Sequence, residues 1–235
     1  DAPPTHPVQF DRLGRTLVNG RPFFPLGMYW SVSKPYHKFR LPPIDASNIV
    51  EYADSPFNCT MPYQSPTRAQ MDVCQANGIK VIYALTCDFD GNDWDPSGGD
   101  PSRSHAPKAV RHIAEFKDHP ALLAWYLNDE RDIRELENLA GRYRTVKALD
   151  PDHPAWIALY QYDQIREYMA TFDAFGTDPY PISGSPIGQA YQWASVGHAG
   201  AFGMRPMWQV PQAMDWSICR NDRPGDRMPT REEID

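Results

Sequence analysis

The chain has no CxxC pair. Its four cysteines, Cys59, Cys74, Cys87 and Cys219, stand apart, which removes the usual structural zinc arrangements. Cys59 and Cys87 fall near the ends of neighbouring strand-like segments and are either joined as a disulfide or left as buried thiols. The seven histidines show no ligand spacing. His105 and His112 flank a helix start, and His119 and His153 each precede a proline at a strand entry, so we read them as structural and expect no metal and no cofactor. No apolar run approaches the roughly 20 residues of a membrane span. Lysine is scarce, positive charge is scattered, and the formal net charge is −7, which argues against nucleic acid or an anionic membrane as partner. There is no linker, no low-complexity segment and no short repeat. The 24 prolines and many aromatic residues, with few lysines, fit a secreted or periplasmic protein.

What is present is alternation. At 235 residues the chain is long enough for one α/β barrel or two small domains. Val8–Val18 followed by Asn19-Gly20 reads as a hairpin. Strand-like segments follow at Phe23–Trp30, Pro56–Met61, Ile79–Thr86, Leu122–Leu127, Ala155–Leu159, Phe172–Thr177 and Pro206–Val210. Helical segments separate them: Ile44–Tyr52, then a helix opened by Ser65 as N-cap with Pro66 in its first position and closed by Gly78. Others are Pro107–Lys117, an amphipathic stretch carrying Ile133, Leu136, Leu139, Ala140 and Tyr143, a short helix around Ile165–Met169, and Ile187–Ser195. Such alternation predicts βα units around a parallel sheet. By count there are seven strands. Thr230–Glu233 then reads as a capping box opening one more helix. The expected fold is an α/β barrel of the (β/α)8 TIM type, incomplete at about seven units with the eighth strand missing, in one domain over residues 1–235. An open seam exposes strand edges. We expect it to be narrowed by strand pairing, covered by the hairpin, or buried in a homodimer.

The C-terminal ends of parallel strands form the active face of such folds, and here they share a theme. Tyr29 and Trp30 end the first strand, Asn58 and Tyr63 belong to the second, and Asp88 ends the third. Asn128, Asp129 and Glu130 end the fourth. Tyr160 and Tyr162 follow the fifth, Asp178 and Tyr180 the sixth, and Gln209, Gln212, Asp215 and Trp216 the seventh. Carboxylates among aromatic rings suit carbohydrate, because sugar C–H faces stack on rings and hydroxyls need carboxylate and amide partners. Glycosidic cleavage needs an acid at the leaving oxygen and a second carboxylate. Asp129 holds substrate hydroxyls, orients Glu130, or caps the helix that follows. The loop from Asp88 to Ser104 is acidic, but its Gly91 is misplaced for an EF-hand and no bidentate Glu follows. It reads as a solvated loop with Trp94 as a candidate stacking residue.

The run Val18–Gly27 resembles the opening of TIM-barrel glycoside hydrolases in the large clan that carries its acid/base on strand four. Phe57–Thr60 resembles their second strand, Gly78–Ile82 their third, His119–Leu127 with Asp129-Glu130 their acid/base strand, and Asp150–Pro154 the run into their fifth. The resemblance implies a glycosidase acting on an oligo- or polysaccharide, with Glu130 as general acid/base. It implies substrate-binding roles for Tyr29, Trp30, Asn58, Asp88, Asn128, Asp129, Tyr180, Gln212 and Trp216. The chain departs at strand seven. Met207–Ala213 carries Gln209 and Gln212 where the clan places a nucleophilic Glu, and a glutamine cannot act as that nucleophile. Asp178 is the nearest substitute as second carboxylate, and Asp215 the next. The alternative is a barrel that binds carbohydrate and has lost turnover.

Overall fold

A computed structural model describes residues 7–30, 42–90, 106–182, 184–218 and 225–234. Most of the acidic loop (91–105) and Cys219 lie outside them. The N-terminal segment forms a small antiparallel sheet of β1 (Val8–Phe10), β2 (Thr16–Val18) and β3 (Arg21–Pro22). Asn19 and Gly20 join β2 to β3 with φ of 50° and 74°, the paired left-handed geometry of a two-residue hairpin turn. The hairpin expectation thus holds, with a third short strand added.

Six strands follow in one parallel sheet, in chain order: β4 (Gly27–Trp30), β5 (Cys59–Pro62), β6 (Lys80–Ala84), β7 (Leu122–Asp129), β8 (Ala155–Leu159) and β9 (Ala174–Thr177). Between them lie α1 (Asn48–Ala53), α2 (Arg68–Ala76), α3 (Thr86–Asp90), α4 (Ala106–Phe116), α5 (Leu136–Leu149) and α6 (Ile165–Tyr168). After β9 come α7 (Gln189–Gly200) and α8 (Arg231–Ile234). No helix among the described residues is long and apolar enough to cross a membrane.

Alternate side chains of each strand enter two separate cores, so the strands read as unbroken apolar runs. Val81, Tyr83, Trp125, Ile157 and Phe175 pack with Ile49 of α1, Met71 of α2, Ile113 of α4 and Val146 of α5. Ile82, Ala84, Ala124, Tyr126, Trp156 and Ala158 form the other core, against Val8, Phe10 and Val18 of the small sheet. Helices cover one face only, and the sheet curls around the other, as in a barrel.

Pro206–Val210 continues the sheet beside β9. The Phe175 N–H donates to the Pro206 carbonyl (3.1 Å), and the Trp208 and Val210 N–H groups donate to Phe175 (2.8 Å) and Thr177 (3.0 Å). Only one bridge, Phe175 with Met207, is regular. Gly176 permits this approach, since a Cβ there would collide with the Trp208 carbonyl oxygen. Trp208 Nε1 donates to Thr16 Oγ1 at 3.0 Å, and its ring meets Phe10 edge-on at 5.9 Å. The small sheet therefore reaches the seventh extended segment. Among the described residues no strand pairs with the outer edge of β4. The observed architecture is a half-barrel of six strands plus one partial strand.

Several local expectations are corrected. The N-cap of α2 is Thr67 and not Ser65. Thr67 and Gln70 form a reciprocal capping box, which satisfies two orphan donors where a lone Ser would satisfy one. Ser65 instead donates to Asp88 Oδ1 at 2.6 Å. Gly78 does close α2, at φ 71°. The Gly78 and Ile79 N–H groups reach the Gln75 and Cys74 carbonyls, the Schellman arrangement. The start of the expected acidic loop is the helix α3. Cys59, Cys74 and Cys87 are free buried thiols, so no disulfide joins Cys59 to Cys87.

Candidate active site

The site begins with an irregularity in β7. Tyr126 pairs with Trp156 of β8, but Asn128 pairs with the next residue, Ile157, leaving Leu127 extra. Such a bulge re-aims the side chains beyond it. Asp129 now pairs with Ala158 and shares the inner face with Tyr126, whose hydroxyl donates to Asp129 Oδ1 at 2.6 Å. Asn128 turns to the helix side, where its Oδ1 accepts the Arg131 N–H at 2.9 Å.

Glu130 follows at φ 56°, a left-handed conformation uncommon for a side-chain-bearing residue and concentrated at functional sites. Its surroundings enforce it. The Glu130 N–H donates to the Ala158 carbonyl at 3.0 Å, and the Glu130 carbonyl accepts from Gln161 Nε2 at 3.3 Å. Arg131 is anchored behind it. Its guanidinium pairs with Asp90 Oδ2 at 2.5 Å, while Arg142 pairs with Asp90 Oδ1 at 2.5 Å. All three side chains are buried. Tyr168 Oη also donates to the Arg131 carbonyl at 2.9 Å. Glu130 thus stands half-buried on a rigid base.

Asp178 stands immediately after β9 and before Pro179, one strand removed from Glu130. It is 5% exposed. Burial first, then a hydrogen bond and charge from Glu130, then the charge of Asp129, push its carboxyl up to about 9. Its Oδ1 has no hydrogen-bond partner.

Tyrosines surround these acids. Tyr29, ending β4, meets Tyr63, just past β5, edge-on at 4.9 Å. Burial raises both phenols well above their ordinary value, aided by each other or by Tyr180, Asp129 and Asp178. Burial followed by Asp129 does the same to Tyr126. These hydroxyls therefore stay protonated and can donate. Tyr180 meets Trp216 edge-on at 5.6 Å.

The structure thus brings together Tyr29, Asp129, Glu130, Asp178 and Tyr180, with Trp216 against Tyr180. It places other expected site residues elsewhere. Trp30 points to the helix side, packing on Tyr52 at 5.6 Å and donating to the Pro42 carbonyl. Asn58 precedes β5, at the opposite end of the sheet, because that strand starts at Cys59. Its amide clamps the Leu26 N–H and the Phe24 carbonyl. Asp88 is fully buried and spent on Ser65, Lys108 and His112. Asn128 lies behind the site. Gln212 is buried and bonded to the backbone of Ile182 and Met214. Asp129 is no helix cap: Asp132 accepts from the Arg134 N–H instead. Gln209, at the strand-seven position, accepts from the Thr177 N–H at 2.9 Å and donates to Thr177 Oγ1 at 2.7 Å. Asp215 accepts from the Ser217 N–H. Tyr63 and Tyr126 join the cluster as well. Tyr63 carried the strand-end signal, whereas Tyr126 was hidden inside an apolar run.

Among the described residues no three His, Cys, Asp or Glu side chains form a metal-holding group. A cavity of about 590 Å³ lies at the other end of the strands, lined by Arg12, Lys147, His153 and Arg205 among others. Lys147 is spent locally, on the Pro151 and His153 carbonyls and on Asp173.

No protein-family profile matches the chain, and no curated protein matches it. Solved structures do resemble it. A β-glucuronidase from Parabacteroides merdae aligns at a TM-score of 0.60 and 14% identity, covering 88% of this chain and 26% of that one. A β-galacturonidase from Eisenbergiella tayi bound to galacturonate aligns at 0.60 and 16%, covering 86% and 37%. A glycosyl hydrolase family 2 member from Bacteroides cellulosilyticus aligns at 0.58 and 15%, covering 92% and 32%. At this identity the likeness is one of fold. The chain spans 26 to 37% of the length of these proteins.

Proposed function

We propose that this protein is a glycoside hydrolase that cleaves O-glycosidic bonds in an oligo- or polysaccharide through Glu130 and Asp178. The observation that carries this reading is the contact between two carboxyl groups at strand ends, one held protonated, inside a ring of tyrosines. Glycosidic cleavage asks for that combination: one carboxyl to give a proton to the leaving oxygen and one to remain charged at the anomeric carbon. Tyr29, Tyr63 and Tyr180 supply ring faces and hydroxyl donors for a sugar, and Asp129, held by Tyr126, supplies an acceptor for its hydroxyls. The fold shared with β-glucuronidase and β-galacturonidase structures supports the same reading. Gln209 is no second carboxylate and is fully used by Thr177, which is why the pair is Glu130 with Asp178.

The test is a reducing-sugar assay over a panel of plant, microbial and host oligosaccharides, run beside a glycan array. Product from at least one bound glycan is expected. Binding without product at high protein load overturns the hydrolytic reading and leaves a carbohydrate-binding barrel.

A further inference from the structure

A tight turn follows β8. The Tyr162 N–H donates to the Tyr160 carbonyl at 2.8 Å, which closes a three-residue γ-turn around Gln161. Gln161 is buried, and its Nε2 donates to the Glu130 and Arg131 carbonyls, each at 3.3 Å. The turn is therefore tied to the backbone of the candidate site. Tyr160 and Tyr162 flank Gln161, each Cα about 3.8 Å from its own, and both stay at the surface. Tyr160 is 49% exposed. Tyr162 is half-buried and lies flat against Trp193 of α7, with ring centroids 4.7 Å apart and planes at 14°. Asp163, the next residue, is exposed.

The tyrosine cluster around the acids comes from β4, β7 and the segments after β5 and β9. These further rings come from the end of β8, which lies between β7 and β9, and from α7. A lone surface tyrosine is ordinary. Three rings on one short stretch of rim, tied to the candidate site, call for a ligand with flat apolar faces. Sugar rings have such faces, and the Tyr160 hydroxyl and the Asp163 carboxylate supply polar partners at the edge. Tyr and Trp have only two side-chain torsions, and stacking fixes those of the pair, so little freedom is lost on binding. Pinning α7 to the turn explains the Tyr162–Trp193 stack but not the exposed ring of Tyr160.

We propose that Tyr160 and the stacked Tyr162–Trp193 pair form a second sugar-binding place on the rim, which takes a further residue of the glycan held at the candidate site. This rests on the carbohydrate reading above and not on turnover. Binding energy from a remote part of a substrate is available to the reacting centre, so the substrate class is a chain of sugars and not a single glycoside.

Calorimetric titration tests this with β-1,4-linked gluco-, xylo- and manno-oligosaccharides, from the disaccharide to the hexasaccharide. Affinity of the native protein is expected to rise with chain length in at least one series. Tyr160→Ala and Trp193→Ala should each lose roughly three- to tenfold on the hexasaccharide and much less on the disaccharide. Tyr160→Phe keeps the ring and should keep most of the affinity. Tyr191→Ala is the control. Tyr191 is 80% exposed and two residues from Trp193 on α7, which turns it to the opposite side of the helix, so this variant should bind as the native protein does. Thermal melts accompany each titration. Trp193→Ala removes a stacked pair and lowers stability, whereas Tyr160→Ala leaves the packing in place, so Tyr160→Ala decides. An equal loss at every chain length, or no loss in Tyr160→Ala, overturns the rim. No binding in any series overturns it together with the carbohydrate reading. Binding that grows with length and depends on Tyr160, but yields no product, keeps the rim and overturns hydrolysis alone, so the failures are distinguishable.

Discussion

Glu130 and Asp178 meet across β8, their carboxyl groups sharing a hydrogen bond although their strands, β7 and β9, are not neighbours in the sheet. The curl of the sheet makes this contact, by turning the ends of alternate strands toward one centre. Within that centre burial, then the neighbouring acids, hold the Asp178 carboxyl well above its ordinary range.

Asp178 should make stability depend on pH. In the unfolded chain it ionises near its ordinary value of 3.8, whereas in the folded protein it stays protonated up to about 9. A group raised in the folded state stabilises fully at acid pH and loses that contribution as pH rises. Asp178→Asn removes this loss. The variant should gain on the native protein between about pH 4 and about pH 9, by at most roughly 1.4 kcal/mol per pH unit. Thermal melts of both across that window check it.

Glu130 stores strain. At φ 56° a residue with a Cβ costs about 1 kcal/mol more than glycine. Glu130→Gly should therefore be more stable than Glu130→Ala by about 1 kcal/mol in denaturant titrations. Both should lose turnover, which separates the conformation from the chemistry.

Asp90 neutralises two buried arginines, Arg131 and Arg142. Asp90→Asn should destabilise the fold by about 3–5 kcal/mol, because the guanidinium groups lose their partner. The measurement is the shift in denaturant midpoint. Asp132→Asn, at the exposed pair with Arg134, should move it far less, because solvent screens that pair.

Gln209 stands on the seventh extended segment beside Thr177, yet placing a carboxylate there should not raise activity. Gln209→Glu removes the donor that Nε2 offers Thr177 Oγ1 and should cost about 1 kcal/mol. Turnover in the reducing-sugar assay should stay level or fall.

Much of this was legible in the sequence. The parallel strands were readable because burial on both faces makes continuous apolar runs, as at Leu122–Leu127. Glu130 and Asp178 were readable as candidates because acids that follow such runs fall at the C-terminal ends of the strands. What escaped were single-residue shifts. One extra residue at Leu127 exchanged the directions of Asn128 and Asp129, and no local propensity announces a bulge. Strand β5 begins at Cys59 and not at Pro56, which moved Asn58 to the far end of the sheet. Asp88 looked like a strand-end ligand, but α3 buried it against Ser65 and His112. Each is a tertiary outcome overriding a local pattern.

The most direct measurement is the release of reducing sugar by the native protein beside Glu130→Gln and Asp178→Asn, on the glycan it binds best. The account predicts release by the native protein and a loss of about a hundredfold or more in each variant. Binding without release, or full release by either variant, would contradict it.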